Sequence, residues 1–315
     1  MPIVPNDEPF WAKLILLLPV SLEDDAISKI ASLVKCLIFC LLALFAPRWL
    51  HLDHMAWNAV ENPIAALTAL AAVELCVALI VLYIFARSEN RSLKSYGLGA
   101  ENLLGSFAKG TITGALMVLF SIGTLYLLGY YKPGATNPSF DCFFILPFLI
   151  AAALREEVVF RGYLQQTMER TFGTWAGLTV AAIAFGFIHL LNFTAGVPLG
   201  EKLYSCLMLS LDAGLLFGLA YLKFRNLWFP LGIHMAWNLF EGPVLGTPIS
   251  SLNLFAPLIK ARLEGPIFWT GGNFGPEASL PMLFFCLLIS YGLARGVWPF
   301  QGKSIKETEK QDKND

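Results

Sequence analysis

The chain has 315 residues, of which 56% are hydrophobic and 14% charged, with a mean hydropathy of +0.62 and a formal net charge of −1. Ordinary soluble domains carry about 25% charged residues, so there is too little polar surface here for a water-soluble fold. A charge near zero, with no basic stripe interleaved with aromatics, also excludes a nucleic-acid partner.

The apolar residues fall in blocks close to the roughly 20 residues a helix needs to cross the hydrocarbon core. Residues 1–29 read as a cytoplasmic or interfacial segment. Their apolar stretch from Phe10 to Val20 carries Lys13 and Pro19 and runs into Glu23, Asp24 and Asp25, unlike a cleavable signal. Spans are expected at 30–46, 64–86, 110–130, 143–165, 175–193, 203–222, 229–242 and 279–298. The organisation is two helices and a basic loop (30–100), a core (101–242), an extracytoplasmic loop (243–278), a last span (279–298) and a polar cytoplasmic tail (299–315). The fold class is therefore all-α, a polytopic bundle of about eight transmembrane spans. The loop from Gly242 to Ala278 is too long for a simple helix connection and long enough to fold over the outer mouth.

Lys and Arg sort fourteen to five between alternate loops, with Lys35, Arg155 and Arg161 inside spans. By the positive-inside rule both termini are cytoplasmic, in a bacterial-type plasma membrane. The six cysteines, Cys36, Cys40, Cys76, Cys142, Cys206 and Cys286, contain no C-x-x-C pair and read as packing residues.

Ionisable groups within the bilayer are costly and are functional candidates by default. Lys35, Glu74 and Asp212 are scattered; Lys35 suits snorkelling to the surface, and Glu74 and Asp212 suit interhelical hydrogen bonds. His51 and His54 fall in a loop. The concentrated set is Arg155, Glu156, Glu157, Arg161, His189, His234 and Asn238. Glu157 and Arg161 are i,i+4 and can pair on one helix face; Glu156, rotated about 100° away, has no partner at that spacing. With a turn near Gly173, Glu157 and His189 each lie sixteen residues from it, roughly 24 Å along their helices. Measured from a turn near Asn226, His234 and Asn238 are shallower, at roughly 12 and 18 Å, so tilt or a deeper seventh helix is needed to join them. A glutamate held in an apolar interior becomes a competent general base toward water. A second histidine with an asparagine one turn along offers donors to an oxyanion.

The motifs Glu156-Glu157-x-x-x-Arg161, Phe185-x-x-x-His189 and His234-x-x-x-Asn238, in this order on three spans, resemble the CAAX protease and bacteriocin-processing (CPBP) family. Its eukaryotic members are the type II CAAX prenyl endopeptidases. The resemblance spans roughly residues 100–242 and implies an intramembrane glutamic endopeptidase acting on a CAAX-like peptide or membrane-protein segment, with no cofactor and no metal. It also implies that Glu156 and His189 activate water and His234 and Asn238 stabilise the oxyanion. Glu157 and Arg161 would support the first glutamate, and Phe185 would pack beside His189. Two other readings stand beside it. Glu156, His189 and His234 could form a two-His-one-carboxylate zinc site, or the cluster could bind a peptide or lipid without cutting, as in bacteriocin immunity or a signalling scaffold.

Overall fold

The computed structural model describes residues 25–52, 62–137, 140–253 and 256–297. The expected interfacial segment before residue 25, His54, the Cys142 side chain and the polar tail lie outside the described residues. Eight helices occupy the expected positions: α1 (Asp25–Trp49), α2 (Pro63–Ser88), α3 (Leu103–Leu127), α4 (146–172), α5 (Thr174–Ile188), α6 (Leu199–Phe224), α7 (228–244) and α8 (Leu280–Arg295). Among the described residues α1, α2, α3, α5 with its 3-10 extension to Asn192, and α6 are long and apolar enough to cross a membrane. Of the others, α4 carries the charged set, while α7 and α8 are shorter.

Local sequence sets the helix ends. Asn62 caps α2, its Oδ1 accepting from the backbone N–H of Ile64 and Ala65 at 2.9 and 3.1 Å, with Pro63 in the first turn. Ser279 caps α8 by accepting from Met282 N–H. Both use side-chain oxygens to satisfy first-turn donors that have no partner within the helix. Three helices are interrupted by π-helical stretches: Val158–Gln165 in α4, Ser210–Gly214 in α6 and Phe240–Val244 in α7.

The bundle is dressed for lipid. Leu104, Ile112 and Phe120 on α3, Ile183 on α5, Leu207 on α6 and Phe284 on α8 face outward, whereas Glu157, Arg161, Asp212 and Glu241 are fully buried. In water this arrangement would expose a broad apolar surface; in a bilayer it is the expected one. The described cysteines are all free, and Cys36, Cys206 and Cys286 are buried packing residues.

Outside the helices, Tyr131–Thr136 (β1) pairs antiparallel with Ile259–Leu263 (β2), with Tyr131 opposite Leu263 and Lys132 opposite Arg262. This small sheet has no counterpart in the expected all-helical outline. It ties the loop after α3 to the 243–278 loop, and the Tyr131 hydroxyl donates to Leu245 O at 2.9 Å.

The position of α7 is set by close backbone contact with α3. A Cβ on Gly110 or Gly114 would run into the carbonyl oxygens of Phe229 and Ile233, and a Cβ on Gly232 into that of Phe107. Small residues four apart let two membrane helices approach this closely. Gly114→Ala is therefore expected to destabilise the protein by about 1–3 kcal/mol in detergent unfolding and to separate the α3 and α7 backbones. Gly123→Ala on the same helix, where nothing lies within 4 Å of the new methyl, is the control. It should be neutral or slightly stabilising, as expected for glycine in a helix interior.

Candidate active site

The site is built on rungs that hold α4 against α6. Gln165 Nε2 donates to Gly218 O at 3.1 Å, and Arg161 Nη2 lies 3.3 Å from both Ala213 O and Gly214 O. Those last two carbonyls sit in the π-helical stretch of α6, where the ordinary i−4 ladder is broken and backbone oxygens are left to take other donors. Arg225, at the end of α6, makes a two-pronged pair with Glu169 of α4, both contacts 2.9 Å. Arg161 completes its environment with Glu157 Oε1 at 3.1 Å and with the faces of Phe185 and Phe217, 4.3 and 5.0 Å from the guanidinium carbon. A buried charge is tolerable only when paired and hydrogen-bonded, and these partners supply that.

Glu157 in turn holds His234. Its Oε1 accepts from His234 Nδ1 at 2.9 Å, which turns Nε2 toward Glu156, whose Oε2 lies 3.8 Å away. The Phe217 ring stacks on the His234 imidazole at 4.9 Å. On α5, His189 Nδ1 contacts Phe185 O at 2.8 Å; with Nδ1–H as that donor, Nε2 is the free acceptor. Phe185 packs against the His189 ring at 5.0 Å.

Glu156, His189, His234 and Asn238 line one cavity of about 110 Å³, room for several water molecules. The Glu156 side chain keeps 18% of its surface exposed while Glu157 has none, so Glu156 is the carboxylate that water can reach. Asn238 makes no hydrogen bond within the protein among the described residues, leaving its amide available to a ligand. A second cavity of about 70 Å³, between the end of α1 and the end of α5, reaches Glu156 and His189 past Arg48 and Asn192. Among the described residues no three His, Cys, Asp or Glu side chains form a metal-ligating group.

The Arg225–Glu169 pair accounts for part of the depth mismatch of α7: Glu169 lies four residues before Gly173, so the turn between α6 and α7 is anchored about one helical turn, roughly 6 Å, along α4 from the turn between α4 and α5.

Glu156, which has no partner at the i,i+4 spacing, has Arg155 Nη2 3.5 Å from its Oε1, and Arg155 also pairs with Glu74 of α2. That pair is the interhelical role expected of Glu74. Asp212, by contrast, makes no interhelical hydrogen bond among the described residues, within which its Oδ2 is buried without a partner. Sequence reasoning missed Glu241, fully buried, which accepts from Trp237 Nε1 at 2.7 Å. It also missed Ser250 and Glu277, which the 243–278 loop delivers to the cavity wall along with Ile249 and Leu252. The loop thus forms part of the cavity wall, and its Phe274 lies edge-on to His189 at 6.3 Å.

Compared with known proteins, residues 138–240 match the family model described as type II CAAX prenyl endopeptidase, Rce1-like. The match covers about a third of the chain and contains all three motifs; it starts after α3 and ends before Glu241. No curated protein matches, and no solved structure matches.

Arg161→Met is expected to destabilise the protein by about 3–5 kcal/mol, because it strands the buried Glu157 carboxylate. Adding Glu157→Gln should recover part of that loss. A double-mutant cycle by unfolding in detergent checks the coupling, and simple additivity would mean that the two residues do not act as a pair.

Proposed function

We propose, on the premise that residues 138–240 are an Rce1-like segment of the type II CAAX prenyl endopeptidase family, that the chain hydrolyses peptide bonds inside the membrane. Glu156 is the general base and His189 the group that holds the water. The observation that carries this reading is the meeting of Glu156, His189, His234 and Asn238, from three helices, on one cavity, with Nδ1 of each histidine tied back to the protein.

Water in the cavity donates to Glu156 and to His189 Nε2. Glu156 takes its proton as the oxygen adds to the scissile carbonyl carbon. The developing oxyanion is met by the Asn238 amide and by His234 Nε2. Because His234 Nδ1 is the donor to Glu157, donation from Nε2 uses the doubly protonated ring. Glu157 and Arg161 are positioning residues. The substrate is a peptide or membrane-protein segment that reaches the site from the lipid or the membrane surface, with a prenylated CAAX end as the first class to try.

The test uses the full chain in liposomes with quenched fluorescent peptides, one ending in a prenylated CAAX sequence and the others unprenylated. Wild type is expected to cleave at least one of them, in the presence of strong chelators. Glu156→Gln should lower the rate by 10²–10⁴-fold, the range for loss of a general base, and Asn238→Ala by 10²–10³-fold, the range for one oxyanion donor. Equal rates in wild type and Glu156→Gln, or no cleavage by wild type, contradict the proposal. Loss of activity on chelation that zinc restores would favour the two-His-one-carboxylate metal site instead.

A further inference from the structure

The 243–278 loop brings a second carboxyl to the cavity. Glu277 sits in the 3-10 turn Pro276–Ala278, before α8 and outside the spans, with 3% of its surface exposed. Ser250, on the same loop, donates to its Oε1 at 2.6 Å, and its Oε2 has no side-chain partner among the described residues. Glu277 lines the cavity that holds Glu156, His189, His234 and Asn238.

The charges around the two carboxyls differ. Glu156 has Arg155 and His234 within 4 Å, so its ionised form is supported. Glu277 has no cation among its contacts and faces like charge. Glu156 of α4 acts on it electrostatically, and so do the buried Glu241 of α7 and Asp212 of α6. His189 of α5 and His234 of α7 face the same space. Glu201 and Lys202 of α6 stand at the nearby turn, Glu201 accepting from Asn273 and Lys202 lying over the Phe193 ring. α8 carries only Arg295, at its far end. Two carboxyls sharing one desolvated cavity do not both ionise readily, and the one without a cation keeps the proton.

We propose that Glu277 is the general acid of the reaction, the carboxyl that protonates the leaving amide nitrogen. This rests on the hydrolytic reading of the same cavity. Glu156 takes a proton from water as the C–O bond forms. The C–N bond then breaks as its electron pair takes the proton of Glu277, and the amine leaves neutral. Glu156 is left protonated and Glu277 ionised, and the proton returns from Glu156 to Glu277 through cavity water, so each turnover consumes one water and no other reactant. Burial, reinforced by the charge of Glu156, pushes the Glu277 carboxyl up to about 8, which leaves it protonated at neutral pH and suited to donate.

The sign of the pH dependence follows: the active form is the acid, so activity falls as pH rises through about 8. Ser250 holds the ionised form, so removing its hydroxyl moves that fall to higher pH. The experiment measures kcat and KM against pH for the full chain in liposomes, with whichever quenched peptide wild type cleaves. Glu277→Gln, which keeps size and hydrogen bonding, is expected to lower kcat about 100-fold or more, to change KM less than about threefold, and to abolish the alkaline limb. Ser250→Ala is expected to keep that limb but shift it upward. Wild-type kcat and pH profile in Glu277→Gln overturn the assignment while a silent Glu156→Gln leaves the hydrolytic reading standing. If Glu156→Gln is also fully active, both fail. A Glu277→Gln protein with lowered kcat but an unchanged alkaline limb, or a Ser250→Ala limb that does not move, assigns Glu277 a structural role and overturns the proposal.

Discussion

The rest of the site depends on the burial of one guanidinium. Arg161 has no exposure at all, and an unpaired charge there would cost several kcal/mol even after relaxation. Its partners come from three sources: the Glu157 carboxylate one turn away, two carbonyls released by a π-helical stretch of α6, and two aromatic faces. Fixing Arg161 fixes Glu157, and Glu157 fixes His234. The imidazole that faces the cavity is thus located by a chain of charge-assisted contacts that begins one turn further along α4. Such contacts are shorter and stronger than neutral ones, and in a low-dielectric interior they lose little to screening.

The π-helical stretches belong to the same logic. Each adjoins or contains a buried acid, Glu157, Asp212 or Glu241, and each contains a glycine, Gly162, Gly214 or Gly242. Breaking the i−4 ladder releases backbone groups where lipid offers no water to satisfy them, so the release is tolerated only where a side chain answers. Arg161 answers in α6. In α7 the released segment runs into the loop that forms part of the cavity wall, where Thr247 donates to Glu241 O at 2.8 Å. The stretches therefore lie where the helices carry buried polar groups.

Much of this was legible in the sequence. The apolar blocks fall on eight helices of the described residues, with ends that differ by up to about seven residues, five of them long and apolar enough to cross a membrane, because a helix in lipid must satisfy its own backbone and so follows hydropathy. The Glu157–Arg161 pair follows from spacing alone, as does the hairpin that sets His189 beside Glu156. The depth of α7 did not follow, since it is fixed by Arg225 meeting Glu169 and by glycines of α3 against α7, contacts between distant parts of the chain. The π-helical stretches were invisible for a related reason: they answer tertiary partners, not local propensity. Glu277 and Ser250 sit in a loop rich in Gly and Pro with no periodicity, and only the place of that loop in the cavity wall gives them meaning.

What the fold builds is a cavity inside a lipid-facing bundle, lined by the carboxyls of Glu156 and Glu277 and by His189, His234 and Asn238. The central claim is that this cavity cuts peptides. Mass spectrometry of membrane-derived peptides from cells carrying either the wild-type chain or Glu156→Gln tests it most directly. The account predicts a set of peptides with defined new termini in the wild-type cells that is absent from the variant. Identical peptide populations, with both proteins present in the membrane at equal levels, would contradict it.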